Sequence, residues 1–188
     1  MTACTTTRLD YDMPLVKTTH QPGGDSLERV ADTRLPTYID EHMRIEARAG
    51  SGRFHLAFVN RGDRTARLQW TEASYVGPDR RAGGVTRAGT DDGPTVIPAG
   101  SRVETVVVPR AQVRGGEIVD FFGPGRADGL EGTSVRLILP LLIGEQRHEY
   151  TLEFTVRRAE VITERDYPSG HDTFLISDPE KDDGADAN

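Results

Sequence analysis

The stretch Phe54-His55-Leu56-Ala57-Phe58-Val59 decides the fold. Its large apolar side chains, Phe54, Leu56 and Phe58, recur at every second position, which is the period of a β-strand that buries one face. The turn-forming residues Asn60-Arg61-Gly62-Asp63 follow, and Ala66-Arg67-Leu68-Gln69-Trp70 then resumes a strand-like pattern. We therefore predict a β-hairpin over residues 54–70, with Trp70 in the core of the fold.

Short strand-forming segments, separated by clusters of Gly, Pro and Asp, lie on both sides of this hairpin. The predicted strands cover residues 38–47, 74–76, 102–108, 117–122, 134–143 and 148–161. The last two form a long hairpin, in which Tyr150 and Leu152 begin an alternation that buries one face of the second arm. No long window keeps the helical period, so helices are expected to be short or absent. This pattern predicts an all-β protein with a single antiparallel β-sandwich.

The chain has 188 residues, of which 36 % are hydrophobic and 28 % are charged. That length suits one domain, and the low apolar fraction indicates that part of the chain lies outside the core. Residues 1–36 contain several prolines and glycines without a sustained period, which predicts a flexible N-terminal tether. Residues 37–162 are predicted to form the β-sandwich domain. Residues 163–188 are acidic, and we expect a largely disordered tail there.

The charge balance disfavours one class of partner. Lys plus Arg number 23 and Asp plus Glu number 30, which gives a net charge of −7. A nucleic acid is therefore not the expected partner, because phosphate binding needs a cationic surface. The sequence also lacks an apolar run of the length, about 18 residues, that a membrane-spanning helix needs.

The single cysteine, Cys4, lies in the tetrad Met1-Thr2-Ala3-Cys4. One cysteine excludes an internal disulfide and a Cys-based zinc site. The tetrad resembles the lipobox of bacterial lipoproteins, in which a cysteine follows an aliphatic residue and two small ones. The resemblance implies that the Cys4 thiol receives a diacylglycerol and that cleavage occurs just before it. Two or three acyl chains, at about 0.8 kcal/mol per buried methylene, then give a stable anchor.

The same resemblance implies a location. Thr5 rather than Asp follows the cysteine, which in Gram-negative lipoproteins implies export to the outer membrane. The expected location is therefore the periplasmic face of that membrane, with the lipid on Cys4 as the membrane contact. The basic and apolar leader that precedes a lipobox is then expected upstream of Met1. If Cys4 is not a lipid-attachment site, the expected location is instead the cytoplasm.

A second resemblance concerns the domain. A strand followed by Trp70 resembles an immunoglobulin-like domain, although the Cys pair of antibody domains is absent. The segments Leu68-Gln69-Trp70-Thr71-Glu72-Ala73-Ser74-Tyr75 and Pro94-Thr95-Val96-Ile97-Pro98-Ala99-Gly100-Ser101 look like those of uncharacterised bacterial lipoproteins with a β-sandwich. This resemblance implies a fold and no activity.

Residue types that carry chemistry show no catalytic or metal-binding spacing. A metal site would need several of the five histidines to converge in the fold, since they lack H-x-H and H-E-x-x-H patterns: His20, His42, His55, His148 and His171. His55 is predicted to be a solvated strand residue. No G-x-S-x-G nucleophile motif and no G-x-G-x-x-G phosphate loop occur. We therefore predict no catalytic residue, no cofactor-binding residue and no metal site, and hence no enzyme.

The sequence leaves three functional hypotheses open. In the first, the protein is a non-enzymatic, lipid-anchored envelope module that binds a protein partner or a cell-wall polymer, for instance by strand addition at a sheet edge. In the second, it is a soluble accessory subunit of a larger assembly, such as a secretion machine or a phage-like particle. In the third, it binds a small ligand, or is an enzyme, at a site built by the loops of residues 77–93 and 123–132.

Overall fold

The computed structural model describes residues 5–21, 36–88, 93–122 and 127–165 of the chain. One compact unit spans Thr7–Ile162, and every site discussed below lies within it. The second unit, Met1–Thr6 with Thr163–Asn188, contributes only the start of the first strand and the end of the last one to the described residues. The strands in chain order are β1 (Thr5–Gln21), β2 (Thr37–Ile39), β3 (Met43–Gly50), β4 (Arg53–Asn60), β5 (Ala66–Leu68), β6 (Ser74–Val76), β7 (Ala82–Arg87), β8 (Thr95–Ile97), β9 (Arg102–Pro109), β10 (Val113–Arg114), β11 (Glu117–Ile118), β12 (Ser134–Ile143), β13 (Gln146–Thr155) and β14 (Arg158–Arg165).

Eight of these strands pair in a closed antiparallel ring. The order is β13-β1-β3-β4-β9-β7-β6-β12, and β12 pairs again with β13. β2 extends the ring beside β3, β5 and β8 extend it beside β12, and β14 pairs with β1. The short strands β10 and β11 pair with each other. Among the described residues the one helical element is the 3-10 turn Arg110–Gln112, which agrees with the expected shortage of helices.

The ring consists of two sheets, one that contains β3, β4 and β9 and one that contains β6, β12 and β13, and the strands β1 and β7 belong to both sheets. Residues 13–14 of β1 pair with β3, whereas residues 15–21 pair with β13. In the same way, β7 pairs with β6 through residues 82–84 and with β9 through residues 85–87. Bends and bulges of this kind let a strand pass from one sheet to another. The predicted all-β antiparallel fold is confirmed, but the pairing differs from an immunoglobulin-like sandwich, whose two sheets are separate.

The core fills the space between the inner faces of the two sheets. Phe54, Leu56 and Phe58 are buried, as the alternation predicted. The predicted inner face of the last hairpin is also buried, through Tyr150, Leu152, Phe154 and Val156. Trp70 is buried in the same cluster, and its indole Nε1 donates a hydrogen bond to Thr95 Oγ1 at 2.8 Å. The prediction that Trp70 belongs to the core is therefore confirmed.

The predicted hairpin of residues 54–70 is wrong in its pairing. β4 pairs with β3 and β9, whereas β5 pairs with β12 and β8, so the connection between them crosses from one sheet to the other. Asn60, which is 1 % exposed, holds this crossing, because its Nδ2 donates to Arg64 O at 2.7 Å and to Ile97 O at 2.9 Å. Its Oδ1 accepts from Gly62 N at 3.1 Å. The residues that indicated a hairpin turn thus form a connection between sheets.

The predicted tether of residues 1–36 is wrong over the stretch that forms β1. Met13 and Leu15 are 2 % and 5 % exposed and belong to the core. They continue an alternation that begins at Leu9, and the Asp and Pro residues between the apolar positions hid this strand signal. Pro14, which has no N–H to donate, lies where β1 changes its partner from β3 to β13.

The remaining predicted segments are confirmed or shifted. The long final hairpin is confirmed for residues 134–155, in which β12 pairs with β13. The predicted second arm over residues 148–161 is too long, because residues 158–161 belong to β14, which pairs with β1. Of the predicted strand over residues 117–122, only Glu117–Ile118 forms a strand, β11. The predicted strand over residues 38–47 is divided into β2 and β3 by Asp40-Glu41-His42, and β7 lies inside the loop predicted over residues 77–93. β14 extends into the predicted tail as far as Arg165. The rest of that tail, residues 166–188, lies outside the described residues.

Candidate functional sites

The residues singled out in the sequence have different positions in the structure. Cys4 and His171 lie outside the described residues. His55 lies on the outer face of β4 and is half-buried. Burial, and then the neighbouring Arg48 and Arg53, lower the pKa of His55 below the usual value for histidine. The three remaining histidines come together in space.

His20, His42 and His148 form the histidine cluster. His20 lies near the end of β1, His42 lies directly before β3, and His148 lies near the start of β13. His20 Nε2 and His148 Nδ1 are hydrogen-bonded at 2.8 Å, with an angle of 15° between the ring planes. The ring of His42 is edge-on to that of His148, with 4.8 Å between centroids. His20 and His148 are 128 positions apart, which explains why no spacing motif could reveal the cluster.

Asp40 organises the histidine cluster from the connection between β2 and β3. Its Oδ2 accepts a hydrogen bond from the Tyr38 hydroxyl at 3.1 Å and lies 3.2 Å from His20 Nδ1. Its Oδ1 accepts from the backbone N–H groups of His42 and Met43 at 2.8 and 2.6 Å. The carboxylate is 7 % exposed, so these protein donors, rather than water, satisfy its oxygens.

Tyr150 closes the cluster on the side of the core. Its ring stacks on that of His20, with 4.4 Å between centroids and 1° between planes. Its hydroxyl is buried and has no partner of ordinary hydrogen-bond geometry among the described residues. Burial first, and then the charge of Asp40, raise the pKa of both Tyr150 and Tyr38 above the usual value for tyrosine. Both phenols therefore stay neutral throughout the physiological pH range.

Burial also sets the protonation of the two hydrogen-bonded histidines. It is the largest cause that lowers the pKa of His20 and of His148 below the usual value for histidine. At His148 the neighbouring His42 and His20 lower the pKa further, whereas at His20 the Asp40 carboxylate acts in the opposite direction. Both imidazoles are therefore mainly neutral near pH 7.

Neutral histidines backed by a carboxylate also form the donor set of many zinc sites. In the parts of the chain that the structure describes, no group of three or more His, Cys, Asp or Glu side chains is placed to hold a metal ion. The facing nitrogens of His20 and His148 are already engaged in their mutual hydrogen bond. Their nitrogens are also closer, at 2.8 Å, than the roughly 3.3 Å between two nitrogens on a tetrahedral zinc ion. The cluster is a hydrogen-bonded network.

The outer face of β3, β4 and β9 carries an open cleft of about 700 Å³, the arginine cleft. Its charged and titratable lining residues are Glu46, Arg48, Arg53, His55, Arg87, Arg102 and Glu104. Arg102 is neutralised by Glu46 and Glu104, each at 2.9 Å. Arg48 and Arg53, which also line a smaller adjoining hollow, form no ion pair with any described carboxylate. This end of the cleft is therefore positively charged.

A second open space of about 630 Å³, the aromatic hollow, lies between the β6–β7 turn and the segment after β11. Tyr75, Phe121 and Phe122 line it together with Leu130, and Asp79 is a charged residue of the lining. The Tyr75 hydroxyl is buried without a hydrogen-bond partner among the described residues, and burial, then Asp79, raise its pKa. The third hypothesis combined the loops of residues 77–93 and 123–132, and residues of both regions line the aromatic hollow.

Comparison of the chain with protein-family models, with curated proteins and with solved structures gave no match. Within the described ranges, no helix has the length and apolar character needed to cross a membrane. A functional assignment therefore depends on the histidine cluster, the arginine cleft and the aromatic hollow.

Proposed function

We propose that the protein is a non-enzymatic envelope module that binds an anionic partner in the arginine cleft. The partner is a protein segment or a cell-wall polymer that carries carboxylate or phosphate groups. A lipid on Cys4 holds the module at the periplasmic face of the outer membrane. The observation that supports this proposal is the uncompensated positive charge of Arg48 and Arg53 at one end of the cleft, on a chain of net charge −7. A local cationic site directs an anionic partner to one face, because more distant charges are screened by salt.

The closed ring limits the strand addition that the sequence suggested to the strands that extend the ring, β2, β8 and β14. Strand addition needs a free sheet edge, and closure removes the edges of the eight ring strands. β8, at the end of the strands that extend the ring, has only three residues. It lies between Pro94 and Pro98, and such prolines blunt a sheet edge because they lack an N–H. The side-chain face of β3, β4 and β9 offers a larger binding surface than this edge.

The test compares charge reversal in the cleft with the same reversal elsewhere. Arg48→Glu combined with Arg53→Glu reverses the free end of the cleft. Arg67→Glu combined with Arg136→Glu changes the net charge equally at exposed positions of β5 and β12. Binding of poly-L-glutamate is measured by isothermal titration, and binding of isolated cell-wall sacculi by co-sedimentation. We expect the cleft variant to lose about tenfold in affinity, or about 1.4 kcal/mol, and the matched control to lose much less. Equal losses of affinity in the two variants would contradict binding at a defined site.

The anchor is tested separately from the cleft. Mass spectrometry of the protein from its native host is expected to show a diacylglycerol on Cys4. Cys4→Ala is expected to move the protein to the soluble fraction and to leave binding in the cleft unchanged. An unmodified Cys4 in the host would contradict the anchor and favour the soluble accessory subunit, with no consequence for the cleft.

A second candidate function, binding of a small ligand, is supported by the aromatic hollow. A buried hydroxyl without a partner costs free energy that an acceptor on a bound molecule would recover. Tyr75 therefore favours a ligand that combines a ring with a hydrogen-bond acceptor. Phenols and aromatic carboxylates are expected to raise the melting temperature of the wild type, and Tyr75→Phe, which keeps the ring, is expected to abolish that shift. An equal shift in both proteins, or no shift in either, would contradict this function.

A further inference from the structure

We propose that the histidine cluster is a pH-sensitive latch, which fastens the end of β1 to β13 and to the β2–β3 connection at neutral pH and releases it in mildly acidic solution. This inference is independent of the proposed function, because the cluster shares no residue with the arginine cleft or with the aromatic hollow. It concerns how firmly the end of β1, the strand that closes the ring between β3 and β13, is fixed.

The latch joins three segments that are far apart in the chain. At the end of β1, His20 pairs with Tyr150 and Gln21 pairs with Glu149 in the β-ladder. The side chain of His20 adds the hydrogen bond to His148 in β13 and the contact with Asp40 in the β2–β3 connection. Loss of the cluster contacts therefore removes the side-chain contacts of His20 with two neighbouring segments at once and leaves the end of β1 held by its β-ladder with β13.

The hydrogen bond between His20 and His148 limits how many protons this pair can hold. It needs one N–H donor and one lone pair. A first added proton is tolerated, because His20 can then donate one N–H to Asp40 and the other to His148. A second proton leaves two N–H groups facing each other at a distance of 2.8 Å, so the contact must break. The ring of His42 completes the cluster, with 4.8 Å between its centroid and that of His148.

The groups that face the histidines provide one buried negative charge. They are Tyr38, Asp40 and Glu41 from β2 and the connection after it, Tyr150 from β13, and Arg61, which donates to the backbone oxygen of Asp40. Asp40 is 7 % exposed and acts at short range, whereas Glu41, beside His42, is 82 % exposed and largely screened by water. The tyrosines stay neutral. One buried carboxylate therefore compensates one added proton, and a second proton is left without compensation.

The direction of the pKa shifts gives the pH window. Burial lowers the pKa of His20 and of His148 in the folded protein, relative to about 6.5 in an unfolded chain. The released form therefore binds protons more readily than the latched form. The stabilisation is fully present above the unfolded value and is lost as the pH falls below it. Each proton taken up on release changes the release equilibrium by about tenfold per pH unit.

Hydrogen exchange of the full chain, read by mass spectrometry at about pH 7.5 and about pH 5.5 and corrected for intrinsic rates, tests the latch. We expect amides of residues 17–21 and 146–150 to exchange about tenfold faster at the lower pH, whereas amides of β4 and β9 do not change. His148→Gln keeps a polar side chain but removes a titrating group, so the response of residues 17–21 should shrink. His55→Gln is the matched control and should keep the wild-type response.

Several results would overturn the latch. Equal protection of residues 17–21 at both pH values is one, and a uniform loss of protection in all strands, which indicates global acid unfolding, is another. A full response in His148→Gln or a lost response in His55→Gln would do the same. If His148→Gln does not fold, NMR titration of the wild type replaces it. The ring signals of His20 and His148 must then titrate together with the amide shifts of residues 17–21, and independent titration overturns the proposal.

Discussion

Asn60→Ala removes the buried side chain that holds the connection between β4 and β5. Nδ2 of Asn60 donates to the carbonyl oxygens of Arg64 and Ile97, and Oδ1 accepts from the N–H of Gly62. Each hydrogen bond contributes about 1 kcal/mol, and buried groups left unpaired add to the loss, so the variant should lose about 3 kcal/mol of unfolding free energy. The loss should be large because no solvent reaches a side chain that is 1 % exposed.

Urea unfolding, followed by the fluorescence of the single tryptophan, Trp70, measures this loss. We expect a lower midpoint with an unchanged slope. Asn60→Asp is the sharper comparison, because it keeps the shape but turns a carboxylate oxygen toward two carbonyl oxygens. It should lose at least as much as Asn60→Ala at neutral pH. Burial beside two carbonyl oxygens raises the pKa of the new carboxyl group, so part of the loss should be regained as the pH falls through that raised value toward the unfolded value of about 4. A loss below about 1 kcal/mol in Asn60→Ala would refute the idea that this side chain directs the crossing.

Two further predictions concern a close backbone approach and a buried charge. Gly52 and Gly116 both have positive φ, 73° and 86°, but a Cβ would meet Val119 O at 2.1 Å only at Gly52. In thermal unfolding Gly116→Ala should cost about 1–2 kcal/mol and Gly52→Ala clearly more, and equal costs would contradict the close approach. The hydrogen bond from Arg102 is the largest cause that lowers the pKa of Glu46. Its carboxylate therefore stabilises the fold above an unfolded pKa of about 4.3 and loses this effect as the pH falls through the lower native value. The urea midpoint of Glu46→Gln should lie below that of the wild type at neutral pH and approach it in acid, and a constant difference would show that charge is not the cause.

The inner faces of the strands were predictable because alternation is a local property of the sequence. Phe54 and Tyr150 are buried as their two-residue period requires, whatever strand lies beside them. The partner of a strand is not a local property. The residues after β4 are equally compatible with a hairpin turn and with a sheet-to-sheet connection, and the buried hydrogen bonds of Asn60 to residues such as Ile97 decide between them. β1 was missed because Pro14 interrupts an alternation that Met13 and its apolar neighbours otherwise show.

The candidate sites were less predictable than the strands, because each is assembled by pairing between distant segments. The histidine cluster has no spacing signal, since its three members come from β1, from the β2–β3 connection and from β13. The position of the aromatic hollow was partly predictable, because residues of the Gly-containing loops proposed as a site from the sequence line it. Its buried hydroxyl, on Tyr75, depends on packing that no local pattern encodes.

The position of the histidine cluster in β1 determines how far acid can loosen the ring. β1 is held at two places, by the cluster at His20 and by Met13 and Leu15, which are buried in the core. Burial of two such side chains stabilises the strand by about 1.5–3 kcal/mol each, and this contribution does not depend on protonation. Release that begins at Gln21 should therefore stop before Leu15, where β1 turns from β13 toward β3. The ring of strands then stays closed through the apolar contacts of Met13 and Leu15, while the end of β1 at His20 opens. For this reason the latch predicts a local rather than a global loss of protection from hydrogen exchange.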